Sequence, residues 1–260
     1  MHTAVIDTHL HLYPNYDLAK AFNQLLSSSA DFGPEVTRIA CLAERHDCHY
    51  FQSIAQGDMQ VSGFTLLNSN EAELTLKRDK DQLSLTLLPG RQVITQENIE
   101  VLALACAQDV ADGQPALDVI YQVNQLNGVP VVAWSPGKWF GVRGELVKKL
   151  ITELKPQDFM LGDTTLRPYG WGTPKIMQQA QAKGFGVIAG SDPLPFAGEE
   201  SWLGTYYTVA DAEQVYSPNE LLHAMKQNTQ GVQWKNTGKR THVFNLFNRL
   251  RKNAASKKRQ

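Results

Sequence analysis

The residues best placed to do chemistry near the start of the chain are Asp7, His9 and His11, in the run Asp7-Thr8-His9-Leu10-His11. Imidazole nitrogens and carboxylate oxygens are ligands for Zn²⁺, Mn²⁺ or Fe. The apolar stretch Ala4-Val5-Ile6 precedes them and reads as a buried strand. Strand side chains alternate with period two, so Asp7, His9 and His11 are expected on one face at the strand's C-terminal end. Active sites of parallel α/β folds form at that end. The competing reading is a pair of polar side chains satisfied by their neighbours. Asp163 follows another expected strand end and reads as a ligand, an acceptor for a histidine N–H, or a turn cap. Arg167, on the loop that follows, suits a phosphate or carboxylate.

These positions must be held by a framework, and the pattern of the chain supplies one. Further strands are expected at 38–42, 100–105, 129–133, 158–161 and 186–189, with helices at 17–29, 48–56, 115–126, 144–154 and 174–183 between them. Ser217-Pro218-Asn219-Glu220 is a capping box with proline at the first helical position, so one more helix starts there. The segments 60–67, 71–78 and 82–88 alternate as strands, with Asp79-Lys80-Asp81 as a hairpin turn. They read as an antiparallel β excursion at about 58–93. Alternating β and α elements imply a parallel sheet, open or closed into a barrel.

The strand Val5-Ile6-Asp7-Thr8-His9-Leu10-His11 resembles the opening motif of the PHP (polymerase and histidinol phosphatase) metallohydrolases. Gly128 to Pro136 resembles the strand that in this family ends in Ala-His-Pro. Gly184 to Asp192 resembles the late strand ending in Gly-Ser-Asp-Ala-His, and Gly204 to Val209 what often follows it. The resemblance runs over residues 4–209 with the motifs in order. It implies a distorted TIM-like (β/α)7 barrel and a site for a divalent metal. It implies His9, His11 and Asp192 as ligands, with Asp192 also the general base. The family's other ligand positions differ here. Glu44 and Arg45 stand where Thr-Asp-His is usual, Gln92 where a bridging glutamate is, and Trp134 or Ser135 and Pro193 where histidines are. A trinuclear site is therefore not expected. What is expected is one metal (Zn, Mn or Fe) or none. Arg45 or Arg167 would hold an anionic substrate, with Asp7, Glu44, Gln92 and Asp163 around the site.

Three functions follow. The first is a mononuclear metal-dependent hydrolase, a phosphoesterase with a small anionic substrate. The second is a catalytically degenerate PHP-like barrel that binds a ligand or partner. The third, an amidohydrolase cutting a C–N bond, is disfavoured because no strand-end lysine bridges two metals.

Composition narrows the setting. The 260 residues carry a net charge of −1 and three cysteines, Cys41, Cys48 and Cys106, whose spacing fits neither a disulfide framework nor a zinc knuckle. The start of the chain lacks the charged and apolar regions of a signal peptide, and no apolar run is long enough to span a bilayer, so a cytoplasmic protein is expected. No acidic residue follows Glu220. We expect a barrel domain over 1–230 and a basic helix and tail over 231–260. In that helix Val243, Phe244, Phe247 and Leu250 share one face. The tail suits an anionic membrane, an acidic protein or nucleic acid, or else docks its apolar face on the barrel.

Overall fold

The computed structural model describes residues 1–257. Lys258 and Arg259, part of the expected basic tail, lie outside the described residues. The chain runs β1 (His2–Leu10), α1 (Leu18–Ser28), β2 (Thr37–Leu42), α2 (Tyr50–Ala55), β3 (Phe64–Ser69), β4 (Leu74–Arg78), β5 (Ser84–Leu88), β6 (Gly90–Ile94) and β7 (Glu100–Leu104). It continues α3 (Ala116–Gln125), β8 (Val129–Ala133), α4 (Gly141–Glu153), β9 (Met160–Thr164), α5 (Lys175–Ala182), β10 (Val187–Gly190), β11 (Tyr206–Ala212), α6 (Pro218–Lys226), β12 (Val232–Gly238) and α7 (Val243–Lys257).

The strands form two sheets of mixed direction rather than the closed, distorted (β/α)7 barrel expected. The seven-stranded sheet has the order β12-β11-β1-β2-β5-β4-β3, and the five-stranded sheet the order β10-β9-β8-β7-β6. The expected β excursion is present: β3, β4 and β5 run antiparallel to one another, and β5 joins β2 in parallel. The departure from barrel regularity comes from β7. Only residues 95–99 connect it to β6, and it is antiparallel to both β6 and β8. A parallel crossover needs a dozen or more residues, so this link can only be a hairpin.

Two seams tie the sheets together. At one, Asp192 N–H donates to the His9 carbonyl at 2.9 Å. At the other, Glu44 N–H donates to the Gly90 carbonyl at 3.0 Å and Gln92 N–H to the Glu44 carbonyl at 2.9 Å. Between the sheets Ile6, Ile39, Leu102, Val131, Met160 and Ile188 pack as one apolar cluster. Each such side chain contributes about 1.5–3 kcal/mol on burial.

The C-terminal segment differs from expectation in two ways. Residues 232–238 form β12, paired along its length with β11, so the seven-stranded sheet continues past position 230. Helix α7 docks on the protein through a face other than the one expected. Leu246 packs with Leu166 and Leu194, with Phe196 and Leu250 at the margin. Phe244 and Phe247 point outward, 80 % and 67 % exposed. Arg249 fixes this rotation. Its guanidinium is buried in a bonded pair with Glu199, at 2.6 Å from NH2 and 2.9 Å from Nε, donates to the Thr165 hydroxyl, and lies 4.3 Å over the Trp202 ring. Losing either partner of a buried pair costs about 3–5 kcal/mol, the same order as burying two phenylalanines, and the docked face also keeps Leu246 buried.

The β1–β10 seam leaves no room for a side chain at Gly190. A Cβ there would meet the His9 backbone nitrogen, its Cβ at 2.5 Å and its Cα at 2.7 Å. Gly190→Ala must push the two strands apart. It should lower the urea unfolding free energy by about 1–3 kcal/mol. An unchanged midpoint and slope would show the seam to be looser than described.

Candidate metal centre

The expected common face for Asp7, His9 and His11 does not hold. The pairing of β1 with β2 shifts register between Asp7 and Leu10. Before the shift, Ile6 faces the cluster between the sheets. After it, Leu10 belongs to the cluster under α1, and both histidines turn toward the space between the sheets. Asp7 lies on the other face and acts as a clamp. Its carboxylate accepts from the Ser191 amide at 2.8 Å, the Gly204 amide at 2.9 Å and the His9 amide at 3.2 Å. Burial raises its pKa, opposed by these amides. Asp7 thus holds the strand ends that carry His9 and Asp192 rather than joining them.

His9, His11 and Asp192 come together. Their ligand atoms all lie within 4.8 Å of one another. The two Nε2 atoms are 3.0 Å apart, and Asp192 Oδ1 is 3.8 Å from one and 3.7 Å from the other. Gln92 Oε1 is 3.1 Å from His9 Nε2. Asp192 is held with φ at 46°, a left-handed conformation that aspartate tolerates better than most residues. Its carboxylate makes no side-chain hydrogen bond among the described residues. Burial moves His11 down to about 4, helped by its neighbour His9, and lowers His9 as well. Both imidazoles therefore favour the neutral form, which is the form that donates a lone pair. Burial lifts Asp192 to about 7, against the pull of His11. Nδ1 of His9 is buried with no partner among the described residues.

The atoms were tested for fit to a cation. Ligands about 2.0–2.1 Å from a tetrahedral zinc stand roughly 3.3 Å apart. The separations of 3.0, 3.7 and 3.8 Å bracket that figure, so shifts of a few tenths of an ångström suffice. Two Nε2 atoms and an amide oxygen face one another, with little to share but a single proton between the rings. That arrangement leaves lone pairs in want of a cation.

The other expected residues sit elsewhere. Asp163 is out of phase with Met160 and points away from the space between the sheets. It pairs with Arg167, which donates from Nε at 2.8 Å and also from NH2, and it accepts from the Tyr206 hydroxyl at 2.8 Å. Arg167 gives its remaining bond to the Trp171 carbonyl. Asp163 and Arg167 thus satisfy each other rather than a ligand. Arg45 pairs with Asp47, not with Glu44, and lies 5.8 Å over the Tyr13 ring, which in turn packs on His11. Glu44 lines a separate cavity of about 220 Å³ with Cys48, His49, Arg91 and Cys106. Trp134 and Trp139 are core residues under α3 and α4.

Sequence reasoning missed Glu100. As the first residue of the antiparallel β7 it lies beside Ile94 and Ala133, at the same end of the sheet as the histidines. Its charge raises the pKa of both histidines and of Asp192. Lys138 Nζ binds Glu100 Oε1 at 2.5 Å, which puts a cation at the rim. No strand was expected at 90–94; once β6 is seen there, the five-residue link after it forces a hairpin that brings the start of β7 to the site.

Comparison with known proteins adds the fold. No family model matches the chain, and no curated protein matches it. Several solved structures share its fold, two of them as follows. One is PsfC from Pseudomonas syringae PB-5123, 15 % identical over 99 % of each chain, with a TM-score of 0.52. The other is the lesion-specific endonuclease PfuEndoQ from Pyrococcus furiosus, 12 % identical, with a TM-score of 0.56. That match covers 91 % of this chain and 59 % of the endonuclease.

Glu44 gives a pH test of this region. Burial pushes its carboxyl up to about 7 from 4.5, although the amides of Phe51 and Tyr50 favour the charged form. The folded state thus holds the proton more tightly than the unfolded chain. The stability this contributes is full below 4.5 and is lost as pH rises through about 7. Glu44→Gln should match the wild type near about pH 4 and exceed it in thermal midpoint near about pH 8. Equal differences at both values would show Glu44 to be solvated.

Proposed function

We propose that the chain is a metal-dependent hydrolase of PHP type, holding one divalent cation between His9, His11 and Asp192 and cleaving a phosphate ester. The observation that carries this reading is the facing pair of neutral-leaning Nε2 atoms with an uncommitted carboxylate beside them. On this reading β1, β2, β6, β7, β8, β9 and β10, tied at both seams, form the family's seven-stranded barrel, with the site at its mouth. The fold shared with an endonuclease is consistent with a phosphodiester substrate.

The residues divide the work by position. His9 and His11 would hold the cation through Nε2. Asp192 would hold it with them and would take a proton from the attacking water. A cation bound there supplies an acidified water and neutralises charge on a phosphoryl oxygen. Gln92 Oε1, which faces His9 Nε2, would lose that contact to the cation and turn toward the metal, and being neutral Gln92 would leave the site less negative than a glutamate would. Lys138 takes the role first assigned to Arg45 or Arg167, because its charge, although paired with Glu100, acts on His9 and Asp192. Its Nζ at the rim would meet the substrate anion. The degenerate-barrel reading has support of its own: His9 and His11 are only 2 % and 3 % exposed, so substrate must open a path to them.

The test uses protein purified without chelator. Hydrolysis of p-nitrophenyl phosphate and its bis ester is measured with added Mn²⁺, Zn²⁺ or Fe²⁺. Activity should appear with metal and fall to background in a His9→Ala, His11→Ala variant. Gln92→Glu should tighten metal binding roughly 10–100-fold, the size of effect seen when a ligand's supporting shell changes. Protein that is inactive with every metal would favour the degenerate barrel.

A further inference from the structure

Helix α7 is anchored by Leu246, Arg249 and Leu250, which leaves its opposite side unpartnered. That side carries Phe244, Phe247 and Arg251, at positions i, i+3 and i+7, all in solvent. Two large rings are therefore held in water on a rigid, docked helix. A helix that merely fell back on the fold would have buried them and exposed Arg249. The ridge continues at its N-terminal end through Tyr169, 68 % exposed and packed on the His242 ring at 5.6 Å, and Trp171, 51 % exposed. Arg240 reaches the Trp171 carbonyl at 3.4 Å, and Lys252, exposed at the helix's other end, flanks the ridge on the docked side with Nζ 5.8 Å over the Phe196 ring. The chain beyond Glu220 has no acidic side chain to neutralise these cations.

We propose that this ridge docks the protein on an anionic lipid surface, with Phe244 and Phe247 inserted among the acyl chains and Arg240, Arg251 and Lys252 on the headgroups. The combination of exposed aromatic rings and flanking basic residues on one helix face is what interfacial helices use. No helix among the described residues is long and apolar enough to cross a membrane, so attachment would be at the surface. The ridge is convex, as any single helix face is. That shape suits insertion into a bilayer and argues against a nucleic acid strand, whose sites are grooves with rings along their floor. The buried Arg249–Glu199 pair is then the device that turns the rings outward.

The experiment is co-sedimentation of the full chain with phosphatidylcholine vesicles, alone or with about a third phosphatidylglycerol. The wild type should sediment with the anionic vesicles and stay in solution with the neutral ones. Phe244→Ser, Phe247→Ser should weaken binding at least about tenfold, because the rings supply the apolar part of the attachment. Salt near about 0.5 M should release the wild type as headgroup attraction is screened. The variant's thermal midpoint should not move, since both rings are already solvated. Equal binding to neutral vesicles, no binding to either, or anionic binding that survives the substitution would overturn the proposal. So would binding of single-stranded DNA that the substitution abolishes while vesicles are ignored.

Discussion

Where β1 meets β10, two backbones approach so closely that only glycine fits at position 190. The Asp7 carboxylate accepts amides from β1 itself, from Ser191 and from Gly204, and so binds three segments into one corner. A buried carboxylate with three amide donors is worth its desolvation only if all the donors are present. The corner is consequently all-or-none. Beside it lie the register shift between β1 and β2, the inward turn of both histidines, and the left-handed turn that brings Asp192 back toward them. The candidate metal centre is the product of that corner, not of the strand's simple alternation.

Around it the two sheets supply complementary parts. The seven-stranded sheet brings the histidines, and the five-stranded sheet brings Gln92, Glu100 and the turn to Asp192. Lys138 arrives from the loop before α4. The site is dry, and burial is the first cause of every shift in its histidines and of the rise at Asp192. Neutral imidazoles sit there beside a carboxyl lifted to about 7, partly protonated near neutral pH. A cation would recharge Asp192 and find its lone pairs already convergent.

Much of this was legible in the chain. His9, His11 and Asp192 stand out because strand ends in α/β folds face one side, and the ordering of the motifs pointed to the same three residues. The β3–β5 excursion and the capping box at Ser217 were equally readable, being local patterns. What failed was whatever depends on a second segment. Period two placed Asp7 with the histidines, because nothing in β1 announces its register shift against β2. Asp163, left open as a ligand, an acceptor or a turn cap, is one step out of phase with the inward residues of β9 and pairs with Arg167. Helical periodicity gave α7 a face led by Phe244 and Phe247, because an arginine such as Arg249 is read as solvent-facing unless its partner, Glu199, is known. Glu100 was missed because no strand was expected at 90–94, and without β6 the 95–99 hairpin that sets the direction of β7 is not readable.

The claim at the centre of this account is that His9, His11 and Asp192 form a single cation site. Titrating the metal-free protein with Co²⁺ and following visible absorption measures that directly. The account predicts ligand-field bands of a low-coordinate site that saturate at one equivalent and vanish in Asp192→Asn. Bands that fail to appear, that keep growing past one equivalent, or that persist unchanged in Asp192→Asn would contradict it.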